Sequence, residues 1–378
     1  MQSFVLPVPG KTRNAPMRRL IWAMLAATVG AGVAAAQNPP PPLQIDDDGT
    51  VHVPAHAVPP SAFLSPEARR YLRDHLKPDP ALLASASEDG VPALIAGYLR
   101  RQREIHAVER TETTLGGVHA YDYRPKSGIS STNRRRVLIN LHGGGFLGCW
   151  PGCAELESIP LSAIARIRVI SLDYRQAPAH RHPAASQDVA AVYRELLKTY
   201  RPENIGIYGC SAGGMLTGMA LAWFQKEGLP RPGAAGVLCA GLSLEGNGFG
   251  GDSAFFTLPL GEGRPPPRSR DAGALGAAMM PYFAGASPND PLVAPASSIE
   301  VLAKFPPTLV ITSTRGFDLS AASHTHGLLV KAGVETELHV WEGLFHGFFY
   351  NVDVPESREV FDVIARFFDR HLGNRRSN

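Results

Sequence analysis

The chain has 378 residues, 44% hydrophobic and 19% charged, enough to bury a substantial core in one large domain or two smaller ones. Its net charge of +3 misleads, because Lys11, Arg13, Arg18 and Arg19 all lie in the first 36 residues with no acid beside them; without these four, 33 basic residues face 34 acidic ones. That balance excludes the electrostatic footprint of a nucleic-acid or anionic-membrane binder.

Residues 17–36 read MRRLIWAMLAATVGAGVAAA. Two arginines lead an apolar stretch that closes on Ala34-Ala35-Ala36, the layout of a secretory signal peptide cut between Ala36 and Gln37, with Met17 a candidate start. The stretch is short and rich in Ala and Gly for a spanning helix. The expectation is a periplasmic or secreted protein with no stable membrane association after cleavage. Residues 37–60 carry Pro39 to Pro42, Pro54, Pro59, Pro60 and the acidic run Asp46-Asp47-Asp48, a composition that predicts an extended segment.

Residues 61–104 are expected to hold two N-terminal helices. Ser65-Pro66-Glu67 supplies an N-cap, a first-turn proline and an acid at the positive helix end, and a second helical stretch runs from about Pro92 to Arg103. From 105 to 378 the chain reads as one catalytic domain. Segments near Ile105–Arg110 and Val118–Tyr123 alternate as an edge hairpin. Strands are predicted at Val137–Leu141, Val169–Leu172, Ile205–Tyr208, Ala235–Ala240, Thr308–Thr312 and Glu337–Trp341. Helices are predicted at Ala184–Tyr200, Ala212–Lys226, Ser320–Ala332 and Glu356–Leu372. Apolar strands alternating with amphipathic helices define an α/β architecture, a mostly parallel sheet covered on both faces. Residues 243–291 interrupt the rhythm with many Gly and Pro residues and a helical piece near Ala272–Tyr282, as an insertion forming a lid or a substrate-binding surface would; a loop is the alternative.

The chemistry sits at strand ends. Gly209-Cys210-Ser211-Ala212-Gly213 matches G-x-S-x-G between a strand and a helix, where a tight turn projects a serine hydroxyl and the helix N-terminus offers N–H groups to developing negative charge. His142-Gly143-Gly144-Gly145 follows another strand, and its bare backbone lets the Gly144 and Gly145 amides converge with that of Ala212 as an oxyanion hole. A nucleophilic serine needs a base and an orienting carboxylate. His346 and Asp318 follow the last two predicted strands, in the chain order Ser, Asp, His that this arrangement uses. The alternatives are an aromatic-packed core histidine between Phe345 and Phe348, and a helix N-cap aspartate.

The ordered set of motifs resembles the hormone-sensitive-lipase-like bacterial esterases of the α/β-hydrolase fold. Beyond the two glycine motifs it includes Asp173-Tyr174-Arg175-Gln176-Ala177-Pro178, Pro183-Ala184-Ala185 with Asp188, Gly316-Phe317-Asp318 and Phe345-His346-Gly347-Phe348, and it spans about residues 60–372. The resemblance implies a catalytic triad of Ser211, Asp318 and His346, with a helical cap built from the N-terminal helices and the insertion. Two positions depart from the family pattern. Cys210 stands where an aspartate is usual, which puts in question the hydrogen bonds such a carboxylate would make near the glycine loop, and Asp318-Leu319-Ser320 stands for Asp-Pro-Leu.

The expected activity is therefore hydrolysis of small, short-acyl carboxylic esters through an acyl-enzyme, needing no metal or organic cofactor. The alternatives are an acetyl-carbohydrate esterase or lactonase, and a non-catalytic small-molecule-binding homologue. A homo-oligomer is left open. Phe146 and Trp150 are candidates for lining the substrate pocket, with core packing the equal alternative. Cys149 and Cys153 flank a turn and form a candidate disulfide, whereas Cys210 and Cys239 fall in apolar strand contexts as buried thiols. The His180/His182 and His324/His326 pairs are spaced i, i+2, which on a helix does not bring two ligands together. Arg134-Arg135-Arg136 reads as a solvated turn.

Overall fold

The computed structural model describes residues 44–47, 51–52, 57–81, 87–244 and 281–373. The expected signal peptide, its cleavage junction and most of the 243–291 insertion, including all but the last two residues of the helical piece expected near Ala272–Tyr282, lie outside those residues. The chain divides into a unit 1–59 and a unit 60–378. In the first, β1 (Gln44–Ile45) and β2 (Val51–His52) pair antiparallel, so the expected extended segment carries a short hairpin. Among the described residues no helix is long and apolar enough to cross a membrane.

The second unit begins with α1 (Pro66–Leu76), where Ser65 Oγ accepts the Ala68 N–H as the N-cap, and α2 (Ala93–Ile105). An eight-stranded sheet follows: β3 (Val108–Leu115), β4 (Val118–Pro125), β5 (Val137–Leu141), β6 (Arg168–Leu172), β7 (Ile205–Cys210), β8 (Ala234–Leu238), β9 (Thr308–Ser313) and β10 (Thr336–Trp341), in spatial order β10-β9-β8-β7-β5-β6-β4-β3. β5 to β10 run parallel, and the β3–β4 hairpin closes one edge antiparallel. Every residue of β5, β7, β8 and β9 is buried, which is why these strands read as continuous apolar runs rather than alternating ones.

The helices that connect or follow these strands are α3 (Gly152–Ala165), α4 (Ala184–Leu197), α5 (Ala212–Lys226), the short α6 (Ile299–Leu302), α7 (Leu319–Lys331) and α8 (Pro355–His371). α4, α5 and α7 bury their apolar faces in one core, while α1, α2, α3 and α8 bury theirs in a second. Helix α3 was not expected. Pro160 lies inside it, and all residues from Gly152 to Ser162 are buried, so the 3.6-residue polar–apolar period that marks a half-exposed helix is missing. Arg136 is also not free in solvent: it donates to Asp369 and to the Leu372 carbonyl, clasping the end of α8, while Arg134 and Arg135 are exposed.

Candidate active site

All the predicted catalytic residues follow the C-terminal ends of parallel strands, where an open α/β sheet presents its ligand crevice. Ser211 leaves β7, Asp318 follows β9 and His346 follows β10. The central position of β7, paired to β5 on one side and β8 on the other, sets the serine turn beside the glycine loop that leaves β5.

The turn at Ser211 is strained. Its φ of 58° and ψ of −122° put a non-glycine residue in a region that costs about 1–3 kcal/mol. The strain is enforced by close packing: a Cβ on Gly213 would stand 1.6 Å from the Leu141 carbonyl oxygen, and one on Gly209 would stand 2.1 Å from it. Only glycine at both places lets β7, α5 and the end of β5 approach this closely.

Asp318 and His346 form a pair. The Asp318 Oδ1 lies 2.7 Å from His346 Nδ1, and Oδ2 accepts the Thr312 hydroxyl at 2.6 Å. A carboxylate only accepts, so Nδ1 carries the hydrogen and Nε2 is left with a lone pair. Asp318 does occupy the N-cap position of α7, but its side chain makes no capping bond there and is spent on His346 and Thr312 instead. The aromatic-core alternative applies instead to its neighbour: Phe345 stacks on His75 at 3.5 Å, whereas the His346 ring lies against Phe317 at 4.3 Å. The Cys239 thiol, just past β8, lies within 4.8 Å of a ligand atom of both Asp318 and His346. Cys210 and Cys239 are both buried free thiols, and burial pushes the Cys210 thiol well above its ordinary range.

In the glycine loop, Gly144 and Gly145 adopt φ of 118° and 64°. Among the described residues no protein acceptor takes the N–H of either, nor that of Ala212, which as the first residue of α5 has no partner within its helix. By contrast the Ser211 N–H donates to the Leu238 carbonyl at 2.8 Å, and the Gly143 N–H donates to a buried carboxylate at 2.9 Å. Cys149 and Cys153 are joined by a disulfide, which ties the end of this loop to the start of α3. Phe146 is fully buried and stacks on Tyr282 at 4.5 Å. Trp150 is half-buried, stacked on Tyr121 at 4.9 Å with the His142 ring 5.5 Å away.

His142 stays neutral. Burial lowers its pKa from 6.5 to about 4, and its Nδ1–H donates to the Gly143 carbonyl at 2.6 Å.

The carboxylate that receives Gly143 belongs to Glu157 on α3, a residue that sequence reasoning missed. Its Oε1 accepts from Gly143 N–H and from the Tyr350 hydroxyl at 3.0 Å; its Oε2 accepts from Asn140 Nδ2 at 2.8 Å and from Cys210 N–H at 3.3 Å. A carboxylate thus does reach the glycine loop and the serine turn in this chain, from a helix rather than from position 210.

Burial raises the Glu157 pKa from 4.5 to about 7, against the pull of its four donors, and it keeps Tyr350 and Cys210 neutral. Between pH 4.5 and 7 the folded chain therefore holds a proton that the unfolded chain has released, so this group's contribution to stability is lost as pH rises through that window. Glu157→Gln, which mimics the neutral form, is expected to gain on the parent by up to about 3 kcal/mol between pH 5 and pH 8. The neutral His142 acts with the opposite sign in both proteins and cancels in the difference. Urea unfolding of the pair at the two pH values measures it; a constant gap would contradict the reading.

The chain matches the α/β-hydrolase fold family over residues 138–350, and the strand-end site described above is set in that fold. It is 31% identical to the carboxylesterase/phospholipase LipF of Mycobacterium tuberculosis over 68% of each chain. It is 30% identical to an acetyl-hydrolase of Streptomyces hygroscopicus over 63% of this chain and 77% of the relative. The crystal structure of an esterase superposes with a TM-score of 0.70 at 27% identity, covering 85% of this chain and 98% of its own. A second, from the bacterial hormone-sensitive lipase family, gives 0.63 at 25%, covering 82% and all but a little of its own chain. The chain belongs to the hormone-sensitive-lipase-like esterases of the α/β-hydrolase fold and is a carboxylic ester hydrolase.

Proposed function

We propose that the chain is a serine carboxylesterase for small, short-acyl esters, with Ser211 as nucleophile. His346 Nε2 takes the hydroxyl proton as Oγ bonds to the ester carbonyl carbon, and the oxyanion is held by the Gly144, Gly145 and Ala212 amides. The carbon–alkoxide bond then breaks, the proton on His346 passes to the leaving alcohol, and the acyl group stays on Ser211. A water molecule, deprotonated by the same imidazole, releases the acid. Asp318 holds the ring in the required tautomer throughout.

The observation that carries this reading is the Asp318–His346 pair at 2.7 Å, on the same edge of the sheet as a serine in a strained strand-to-helix turn. The three amides left without protein acceptors among the described residues supply the charge stabilisation that acyl transfer needs. Short acyl chains are favoured by the likeness to an acetyl-hydrolase. A series of p-nitrophenyl esters from acetate to palmitate, run beside an acetylated sugar, tests the substrate class. The expected result is a maximum of kcat/KM at acetate or butyrate, and a maximum at palmitate would overturn the short-acyl assignment. If the acetylated sugar outruns every aryl ester, the enzyme is an acetyl-carbohydrate esterase on the same machinery.

A further inference from the structure

The geometry assigns to Glu157 the role of a positioning residue that joins the oxyanion loop to the nucleophile turn through one buried carboxylate. The assignment rests on the Ser211 chemistry proposed above. Glu157 touches no reacting atom. Its two oxygens instead receive the N–H of Gly143, the residue before the first oxyanion glycine, and the N–H of Cys210, the residue before the nucleophile. These two amides belong to segments leaving different strands, β5 and β7, and a carboxylate is a rigid planar group. The distance between the serine hydroxyl and the oxyanion amides is therefore set through Glu157.

The surroundings fix the carboxylate itself. Asn140 on β5 donates to Oε2 and is held in turn by the Ser171 hydroxyl, which donates to Asn140 Oδ1 at 2.6 Å. Tyr350 donates to Oε1, and the Tyr208 hydroxyl donates to the Glu157 backbone carbonyl at 3.0 Å. Three of the four groups facing the carboxylate are N–H donors and the fourth is a hydroxyl that donates to it, so the ionised carboxylate, accepting on both oxygens, satisfies all of them. With the Gly143 N–H turned inward to Glu157, the next peptide planes are free to aim the Gly144 and Gly145 amides at substrate. A purely structural residue would hold α3 against the sheet; this one also sets the orientation of the catalytic backbone. A displacement of about 1 Å in such a constellation lowers turnover by ~100-fold.

Glu157→Gln tests the assignment, because the amide keeps the shape but offers one acceptor oxygen, leaving two donors facing an NH₂ group. The measurements are kcat per active site, titrated with diethyl p-nitrophenyl phosphate, KM for p-nitrophenyl butyrate, and Ki for a trifluoromethyl ketone whose hemiketal oxygen occupies the oxyanion site. Turnover is expected to fall about 30- to 100-fold with KM within about threefold, while Ki rises by the factor lost in kcat/KM. Urea unfolding at pH 8 is measured alongside, and a variant that is fully folded under the assay conditions separates positioning from loss of fold. Turnover per titrated site within about twofold of the parent would overturn the assignment, as would a Ki that stays constant while KM rises.

Tyr350→Phe decides the matter should the first variant not accumulate as folded protein. It removes one donor from an intact carboxylate, and a loss in kcat of about three- to tenfold with a parallel rise in Ki is expected; an unchanged kcat overturns the proposal. Ser211→Ala in the same series keeps the two readings apart. A parent no faster than Ser211→Ala on any ester sinks the function and this assignment together, whereas an active parent matched by Glu157→Gln sinks this assignment alone.

Discussion

Ser211→Ala is expected to lower kcat for p-nitrophenyl butyrate by about a million-fold while leaving KM within a few-fold. The hydroxyl oxygen is the only heavy atom removed, and the glycine loop, helix terminus and Asp318–His346 pair remain to bind substrate and polarise its carbonyl. A small residual rate above that of water should therefore persist. Cys210, the adjacent residue, offers no substitute nucleophile: its thiol is buried, and burial holds it in the unreactive protonated form. The alanine variant keeps the strained backbone, since φ of 58° is as unfavourable for alanine as for serine. Ser211→Gly releases that strain and is expected to be more stable than either by about 1 kcal/mol, after the entropic cost of glycine is set against the relief. Urea unfolding measures the second effect and steady-state kinetics the first. Activity above about one percent in the alanine variant would move the nucleophile elsewhere, and a glycine variant less stable than the parent would show that the turn carries no stored strain.

How much of this was legible in the sequence depended on periodicity and spacing. The six parallel strands and the helices α1, α2, α4, α5, α7 and α8 stood out because apolar runs and amphipathic stretches alternate there, and β4 because its residues alternate; the other arm of the hairpin, expected near Ile105–Arg110, instead runs from Val108 to Leu115, because Ile105 ends α2 and the mostly exposed β3 shows no alternation. The pairing of Asp318 with His346 across 28 residues was readable from the positions of both after strand ends. Helix α3 was hidden by Trp150-Pro151-Gly152 and Pro160, which read as turn signals, and by its lack of any exposed face. Glu157 was hidden with it. Nothing local distinguishes a buried glutamate from a solvated one, and its four partners come from β5, the glycine loop, β7 and a segment 193 residues away. The departure at Cys210 was a signal all the same, since a missing carboxylate beside backbone donors asks which other acceptor replaces it. Phe146, weighed equally as pocket and core, is fully buried, stacked on Tyr282 and edge-on to Phe283, aromatic residues near the end of the insertion that could not be placed before the fold was known.

Asp318→Ala is expected to lower kcat by about 10⁴-fold with little change in KM. The carboxylate is fully buried, with one oxygen on His346 Nδ1 and the other on the Thr312 hydroxyl, so in the mechanism proposed for Ser211 it has two jobs. It places the hydrogen on Nδ1, leaving Nε2 to accept the serine proton, and its charge stabilises the imidazolium formed when that proton arrives. Asp318→Asn separates the two. Its amide has one accepting and one donating end, and the tautomer survives only if the accepting end faces Nδ1 while the NH₂ turns to Thr312, whose hydroxyl must then accept instead of donate. The asparagine variant is therefore expected to lie between the parent and the alanine variant, with charge stabilisation lost and orientation partly kept. Adding Thr312→Val should pull it down toward the alanine value, because the NH₂ then has no acceptor on that side and the tautomer inverts. Steady-state kinetics on the four proteins reads this directly. An asparagine variant as fast as the parent would mean that the buried charge contributes nothing to turnover, and the role given to Asp318 would fall.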